Sequence, residues 1–435
     1  MRAWYGILLA GFFFWLAACG APNPPPPTPT ALIPTVASPI ATDSFILPSR
    51  SPTPTRNATP DTSQPIVLTI WVPEEFATGA ERGGDILERQ IAEFQLAHPN
   101  IQINYVLKAP YGKGGTLDWL TQLQEMMPER LPDAAIVDSR ELEQIHALGL
   151  LQPLQRRLPS GAFWDLFPPA QTIARHNGQW DNQPLILETE HLVFDTRRVT
   201  TPPSSWESVV AEKNQYAFAA DSTESFLLHY LANGGSFATS AHPATDASVM
   251  QIVLDYYARL RASGILNESV AVMKSAREVM PLFVSGQTPL AQVRARDFLI
   301  EQARLSDTLA APIPTRDGRA TTLVSSWTFV ILTDEPAKQS AASNYLLWLI
   351  DPARMGEWAN AARLIPASKS AFAQALDASA YADVLWNLFH NGRVAPDFAK
   401  QAVYAQAWHQ AVQAVLNGEL APEDAAFRAV QTITQ

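Results

Sequence analysis

The chain has 435 residues, 47% of them hydrophobic and 17% charged, with a net charge of −11. That is a globular composition with material for more than one core. The acidity argues against nucleic acid as a partner, because phosphates need a basic face. The single cysteine, Cys19, excludes an intramolecular disulfide and a cysteine-based zinc site.

The N-terminus sets the compartment. Arg2 precedes a nearly unbroken apolar run from Ile7 to Ala18, too short to span a bilayer as a mature helix but suited to a signal peptide. It ends Leu16-Ala17-Ala18-Cys19-Gly20, which resembles the bacterial lipobox, where the cysteine becomes the lipidated first residue. Residues 1–18 therefore read as a lipoprotein signal peptide. Residues 19–64 read as a lipidated Cys19 followed by a Pro/Thr/Ser-rich tether, which holds 12 of the 35 prolines. Such a segment stays extended, about 3 Å per residue, and could reach on the order of 100 Å. The expected place is the extracytoplasmic face of a membrane, lipid-anchored. The chain from residue 65 on has 28 basic and 40 acidic residues, since Arg2, Arg50, Arg56, Asp43 and Asp61 lie before it.

The folded part opens with a β-branched strand over 66–72 and a helix over 83–98, with Ile86, Leu87, Ile91 and Phe94 at helical spacing. Residues 101–107 alternate as a strand, 117–127 form a helix, 134–137 a buried strand and 141–148 a helix ending at Gly149. This alternation predicts parallel α/β structure. A long apolar strand over 185–195 is interrupted by Glu188, Glu190 and His191. A second series follows: helix 205–212, strand 216–220, helices 224–233, 246–263 and 276–285, and strands 289–293 and 321–332. From 336 on the chain is helical: 336–350, 352–361, 379–390, 398–417 and 422–434.

Catalytic signatures are missing. There is no phosphate loop, no His-Glu-x-x-His and no Gly-x-Ser-x-Gly, and Gly79, Gly83 and Gly84 lack the dinucleotide spacing. The eight histidines hold no pair at helical metal-ligand spacing, so neither metal nor cofactor is expected. On a strand, Glu188 and Glu190 share one face and His191 takes the other.

The order of weaker blocks carries a resemblance. Ile70-Trp71 ends the first strand, and Phe94-x-x-x-His98-Pro99-x-Ile101 leads into the second. Leu131-Pro132-Asp133-Ala134-Ala135-Ile136 is followed by Gly149-Leu150-Leu151-x-Pro153-Leu154. Pro203-Ser204-Ser205-Trp206-Glu207, Phe283 to Leu290, Asp351-Pro352, Ile365-Pro366 and Gly418-x-x-Ala421-Pro422-Glu423-Asp424-Ala425 complete it. Over 65–435 the sequence resembles the extracellular solute-binding proteins of ABC importers, family 1, the sugar-binding group that includes maltose-binding protein. The resemblance implies a two-lobed, type II periplasmic-binding-protein-like α/β fold with a helical C-terminal part. It implies an N-lobe of 65–187 with about 313–371 and a C-lobe of 188–312 with about 372–435. The lobes are joined by hinge crossings, and a small solute, a carbohydrate above all, binds between them. An ABC permease is the implied membrane partner, and a monomer the implied state.

The same resemblance implies ligand contacts at Glu74 and Glu75, at Asp138, Ser139 and Arg140, at Glu188, at Ser222 and Glu224, and at Trp327, Tyr404 and Trp408. Arg294 and Arg296 stand where the family often has an aromatic, which suits an anionic ligand as much as a solvated helix start. Plain structural roles stay open beside these: helix capping for Glu74, Glu75, Glu224 and Asp138, a surface ion pair for Arg140, and core packing for Trp327 and Trp408. Glu188 is the strongest single candidate, because a carboxylate inside an apolar strand is costly without a partner. The alternatives to a binding protein are a cell-surface carbohydrate hydrolase working through two carboxylates, or a ligand sensor without transport.

Overall fold

The computed structural model describes residues 65–76, 83–236, 246–266, 268–376 and 378–434. The signal peptide, Cys19 and tether expected over 1–64 lie outside the described residues, as does the Glu75 side chain. Strand β1 (Ile66–Pro73) pairs in parallel with β2 (Ile101–Lys108) on one side and β3 (Ala134–Asp138) on the other. All five residues of β3 are buried, as a continuous apolar run covered on both faces requires. The helix Gly84–Ala97 joins β1 to β2, and the helix Thr116–Met126 joins β2 to β3. The first of these begins after Gly83, whose φ is +76° and where a Cβ would sit 2.8 Å from the Ala362 backbone nitrogen, so only glycine fits.

A short hairpin follows, β4 (Arg175–His176) against β5 (Gln179–Trp180), and then the 13-residue β6 (Gln183–Asp195). Five later strands are β7 (Tyr216–Ala217), β8 (Leu290–Arg294), β9 (Thr308–Ala311), β10 (Leu323–Ile331) and β11 (Arg393–Val394). Among the described residues the main sheet runs β2-β1-β3-β10-β6-β8-β7, with β11 beside β10 and β9 beside β6. The architecture is the expected two-lobed α/β one. It is not wholly parallel, however: β10 returns from the far half of the molecule and inserts antiparallel between β3 and β6.

Strand β6 holds the two halves of the sheet together. Its first part, to Thr189, pairs with β10, and from Glu190 on it pairs with β8 and β9. At the exchange of partners Thr189 Oγ1 lies 2.8 Å from Thr322 Oγ1 and donates to Leu323 O at 2.9 Å. Thr322 Oγ1 also lies 2.9 Å from Glu190 O, to which it donates.

Most helices fall where the periodicity predicts them, and the departures have local causes. The strand expected over 216–220 pairs only at Tyr216–Ala217, and Phe218 to Ala220 are buried without extending it. The helix expected over 276–285 divides into a 3-10 turn, Ala276–Glu278, and a helix, Met280–Val284, that restarts with Pro281 in its first turn. The helices Ser160–Trp164, Pro168–Ile173, Ala295–Glu301 and Lys369–Ala375 are too short to show a periodic signal. Among the described residues no helix is long and apolar enough to cross a membrane.

Candidate functional site

A cavity of about 320 Å³ opens beside the point where β6 changes partners. Its floor is β6 itself: Glu188 and Glu190 line it, on the shared face their spacing requires. His191 points the other way and is fully buried, its Nε2 2.9 Å from Tyr381 Oη. The walls come from elements distant in sequence. Tyr111 follows β2, Arg140 follows β3, Glu224 opens the helix Thr223–Ala232, and Arg294 ends β8. Ser325 of β10 and Gln401 of the helix Phe398–Leu416 close the ring.

Asp138 organises one wall from behind. It ends β3, is 1% exposed, and accepts four hydrogen bonds: from Tyr111 Oη (2.8 Å) and from Arg140 N (2.8 Å), Nε (2.9 Å) and Nη2 (2.9 Å). Arg140 is thereby clamped in a fork and lies over the Phe398 ring at 4.3 Å. Its remaining nitrogen pairs with Glu224, so the guanidinium ties the β3 side of the cavity to the helix Thr223–Ala232. Burial opposes the Arg140 charge, but Asp138 and Glu224 hold its pKa well above the ordinary value. Burial, then Asp138, push the Tyr111 phenol upward.

The floor carries a second set of pairs. Arg294 Nη2 lies 2.9 Å from Glu188 Oε2, and both side chains are largely buried. Glu188 Oε1 is buried with no hydrogen-bond partner. Glu190 Oε2 accepts from Gln292 Nε2 at 2.6 Å, and Gln292 Oε1 in turn accepts from Tyr216 Oη at 3.0 Å. Burial, then the negative charge of Glu224, raise the Glu190 carboxyl to about 7. Behind the wall, burial and then Asp138 raise Glu141 to about 8.

The site residues expected from sequence separate into three groups. Arg140, Glu188 and Glu224 meet around the cavity, joined by Arg294. Asp138, Ser139, Ser222 and Trp327 support it from behind. Ser139 Oγ accepts from Ser326 N at 3.0 Å, and Ser222 caps its helix by accepting from Glu224 N at 3.2 Å. Trp327 is 1% exposed and stacks under Tyr111 at 5.6 Å, so it carries the aromatic wall without facing the cavity. The remainder lies elsewhere. Glu74 is exposed on the turn after β1. Arg296 is buried, its guanidinium 6.0 Å from the Phe76 ring. Tyr404 and Trp408 stack on each other at 5.4 Å within the helical core, with Trp408 against Phe226, because helix Phe398–Leu416 turns that stripe inward. Sequence reasoning passed over Tyr111, the aromatic just before the glycine-rich stretch Gly112 to Gly115, and it placed Glu190 on the strand face of Glu188 without counting it among the ligand contacts.

A family model described as bacterial extracellular solute-binding protein matches residues 90–386, more than half of the chain. No curated protein sequence matches. Among solved structures, the sugar-binding protein MalE from Xanthomonas citri superposes with a TM-score of 0.70 at 16% identity, covering 85% of this chain and 96% of that one. The cyclic α-maltosyl-1,6-maltose binding protein from Arthrobacter globiformis gives 0.69 at 20% identity, over 85% and 98%. Maltose-bound MalE3 from T. maritima gives 0.67 at 15%, over 85% and 99%. At these identities the likeness is one of fold.

Proposed function

The chain belongs to the bacterial extracellular solute-binding proteins, and on that premise we propose that it captures a small neutral sugar in the cavity beside β6 and delivers it to an ABC importer. The observation that carries this reading is the Glu188 carboxylate. One oxygen is held by Arg294, and the other is buried without a partner. A buried acceptor left unmade is costly, and a ligand hydroxyl satisfies it. The cavity is at the small end of ligand sites, which run to about 300–1,000 Å³.

Charge pairing supports a neutral ligand. Of the three arginines that line the cavity, Arg140, Arg277 and Arg294, Arg294 is matched by Glu188 and Arg140 by Asp138 and Glu224, so an anion would have to displace a carboxylate to reach either of these two guanidinium groups. The aromatic content supports a short one. Tyr111 is the aromatic residue among the described cavity walls, whereas a long oligosaccharide would call for successive stacking faces. The neighbouring folds whose names record maltose or maltodextrin support the carbohydrate class. The change of pairing at Thr189–Glu190 supports a hinge there, with an N-lobe of 65–187 plus about 313–371 and a C-lobe of 188–312 plus about 372–435. The apolar run ending at Cys19 and the proline-rich tether support a lipid anchor on the extracytoplasmic face, within reach of a permease. The protein acts as a monomer that closes on its ligand.

The test is a thermal-shift screen of the purified chain against neutral mono- and oligosaccharides, uronic acids, sugar phosphates, polyols and amino acids, with chromatographic recovery of each hit. A neutral sugar should raise the melting temperature with concentration and return unchanged. A hit that is consumed would replace transport by hydrolysis. Shifts by acidic sugars or amino acids alone would refute the neutral-sugar assignment.

A further inference from the structure

A second cluster lies apart from the cavity, none of its residues being among those that line it. His146 lies in the last turn of the helix Leu142–Ala147, His176 ends β4, and Asp181 follows β5. His146 Nε2 is 3.5 Å from Asp181 Oδ2, and His176 Nδ1 is 3.9 Å from the same oxygen. The ligand atoms of all three lie within 4.8 Å of one another, the one such group of three His, Cys, Asp or Glu side chains among the described residues. We propose that His146, His176 and Asp181 form a binding site for a divalent transition-metal ion of the zinc class.

The local fold brings these groups together for stated reasons. Asn177-Gly178 closes the β4–β5 hairpin with φ of +49° and +80°, the two-residue turn such a pair favours, so His176 and Gln179 are fixed opposite each other. Asp181 is oriented by its neighbour. Asn182 Nδ2 donates to Asp181 Oδ1 at 3.0 Å and to Ile173 O at 3.0 Å, and Asn182 Oδ1 accepts from Thr328 Oγ1 at 2.6 Å. That buried chain leaves Oδ2 for the histidines, as an outer ring of hydrogen bonds does around a ligating carboxylate. Asn177 Nδ2 sits 3.3 Å from His176 Nε2, on the side of the ring away from the cluster.

Two nitrogens and one oxygen suit zinc, which binds such donors at about 2.0–2.1 Å and so sets tetrahedral ligand atoms about 3.3 Å apart. The observed 3.5 and 3.9 Å are close to that spacing. The two imidazoles are stacked, with centroids 3.6 Å apart and planes 28° apart, so capture turns one ring out of the stack. His176 is the ring free to turn, its side chain being 32% exposed against 12% for His146. The same open side admits a water as fourth ligand. An ion here would fasten the β4–β5 hairpin to the helix Leu142–Ala147, which continues directly from the turn Ser139–Glu141 bearing Arg140. The inference is independent of which solute the cavity takes.

The test uses the untagged full chain, stripped with EDTA and dialysed, then titrated with Zn²⁺ in competition with a chromophoric chelator and with Co²⁺ as a spectroscopic probe. One equivalent of Zn²⁺ should bind, Co²⁺ should show visible absorption of tetrahedral strength, and Zn²⁺ should raise the melting temperature. His176→Gln, on the exposed hairpin, should weaken Zn²⁺ binding by more than about 100-fold, beyond the 10–100-fold that loss of an outer partner costs. It should melt like the parent in EDTA. Asp181→Asn should remove the tetrahedral Co²⁺ spectrum. Failure of the parent to take up a stoichiometric ion, or uptake unchanged in His176→Gln, would overturn the site.

Discussion

Replacement of Arg140 by alanine should destabilise the fold more than it weakens any ligand. Asp138 is 1% exposed and accepts four hydrogen bonds. Truncation removes the two from the guanidinium and leaves a buried carboxylate held by Tyr111 and one backbone N–H. Breaking a buried pair in this way costs about 3–5 kcal/mol. The Arg140 side chain is 12% exposed, so water can reach part of the vacated space and the lower end applies. With an unfolding entropy of about 2.1 cal/mol/K per residue, the 371 residues from 65 on give about 0.8 kcal/mol/K, and the melting temperature should fall by about 4 °C. The decisive comparison is a double-mutant cycle by differential scanning calorimetry. Asp138→Asn in the Arg140→Ala background removes the stranded charge and should restore most of the loss. An Arg140→Ala protein melting with the parent, or a double variant no more stable than the single one, would refute the view that Asp138 and Arg140 form a structural unit.

Other expectations follow from neighbouring groups. Glu141 has its carboxyl raised to about 8 against an ordinary 4.5, so the fold keeps a proton that the unfolded chain has released. That contribution is complete below about pH 4.5 and is lost as pH rises through 8. The stability of Glu141→Gln relative to the parent should therefore improve by about 3 kcal/mol between pH 4.5 and 7, read from urea unfolding at each pH. Glu188→Gln should reduce affinity for the bound sugar by about 10- to 100-fold in calorimetric titrations, the loss of a charged acceptor, and should also lower the ligand-free melting temperature, because it breaks the largely buried pair with Arg294. Trp408→Ala should lower stability by about 3–5 kcal/mol and leave ligand affinity unaltered, since Trp408 fills the core, whereas Tyr111→Ala should weaken ligand binding as well as lower stability, since Tyr111 faces the cavity and also donates to the buried Asp138.

What the sequence discloses about this site depends on how local the signal is. Glu188 is legible because an acidic residue in a strand between Leu185-Ile186-Leu187 and Leu192-Val193 must find a partner, and period-two spacing then puts Glu190 on the same face. The crossing strand is legible for the same reason: its length and apolarity mark it before its partners are known. The aromatic residues are not. Bulk and hydrophobicity are alike for a ring facing a ligand and a ring one layer beneath it, and Trp327 is beneath Tyr111. The polar pairs are less legible still. Arg140 takes its character from Tyr111, Glu224 and Phe398, three residues that only the return of β10 and the packing of the last helices bring to one place. The antiparallel insertion of β10 between β3 and β6 is therefore the step that local pattern omits. It sets Ser325 opposite Glu188 on the strand that begins in one half of the sheet and ends in the other. On the proposed function, a ligand held by Glu188 acts at the point where the two halves of the sheet exchange partners, in the cavity that the Arg140–Glu224 pair also lines.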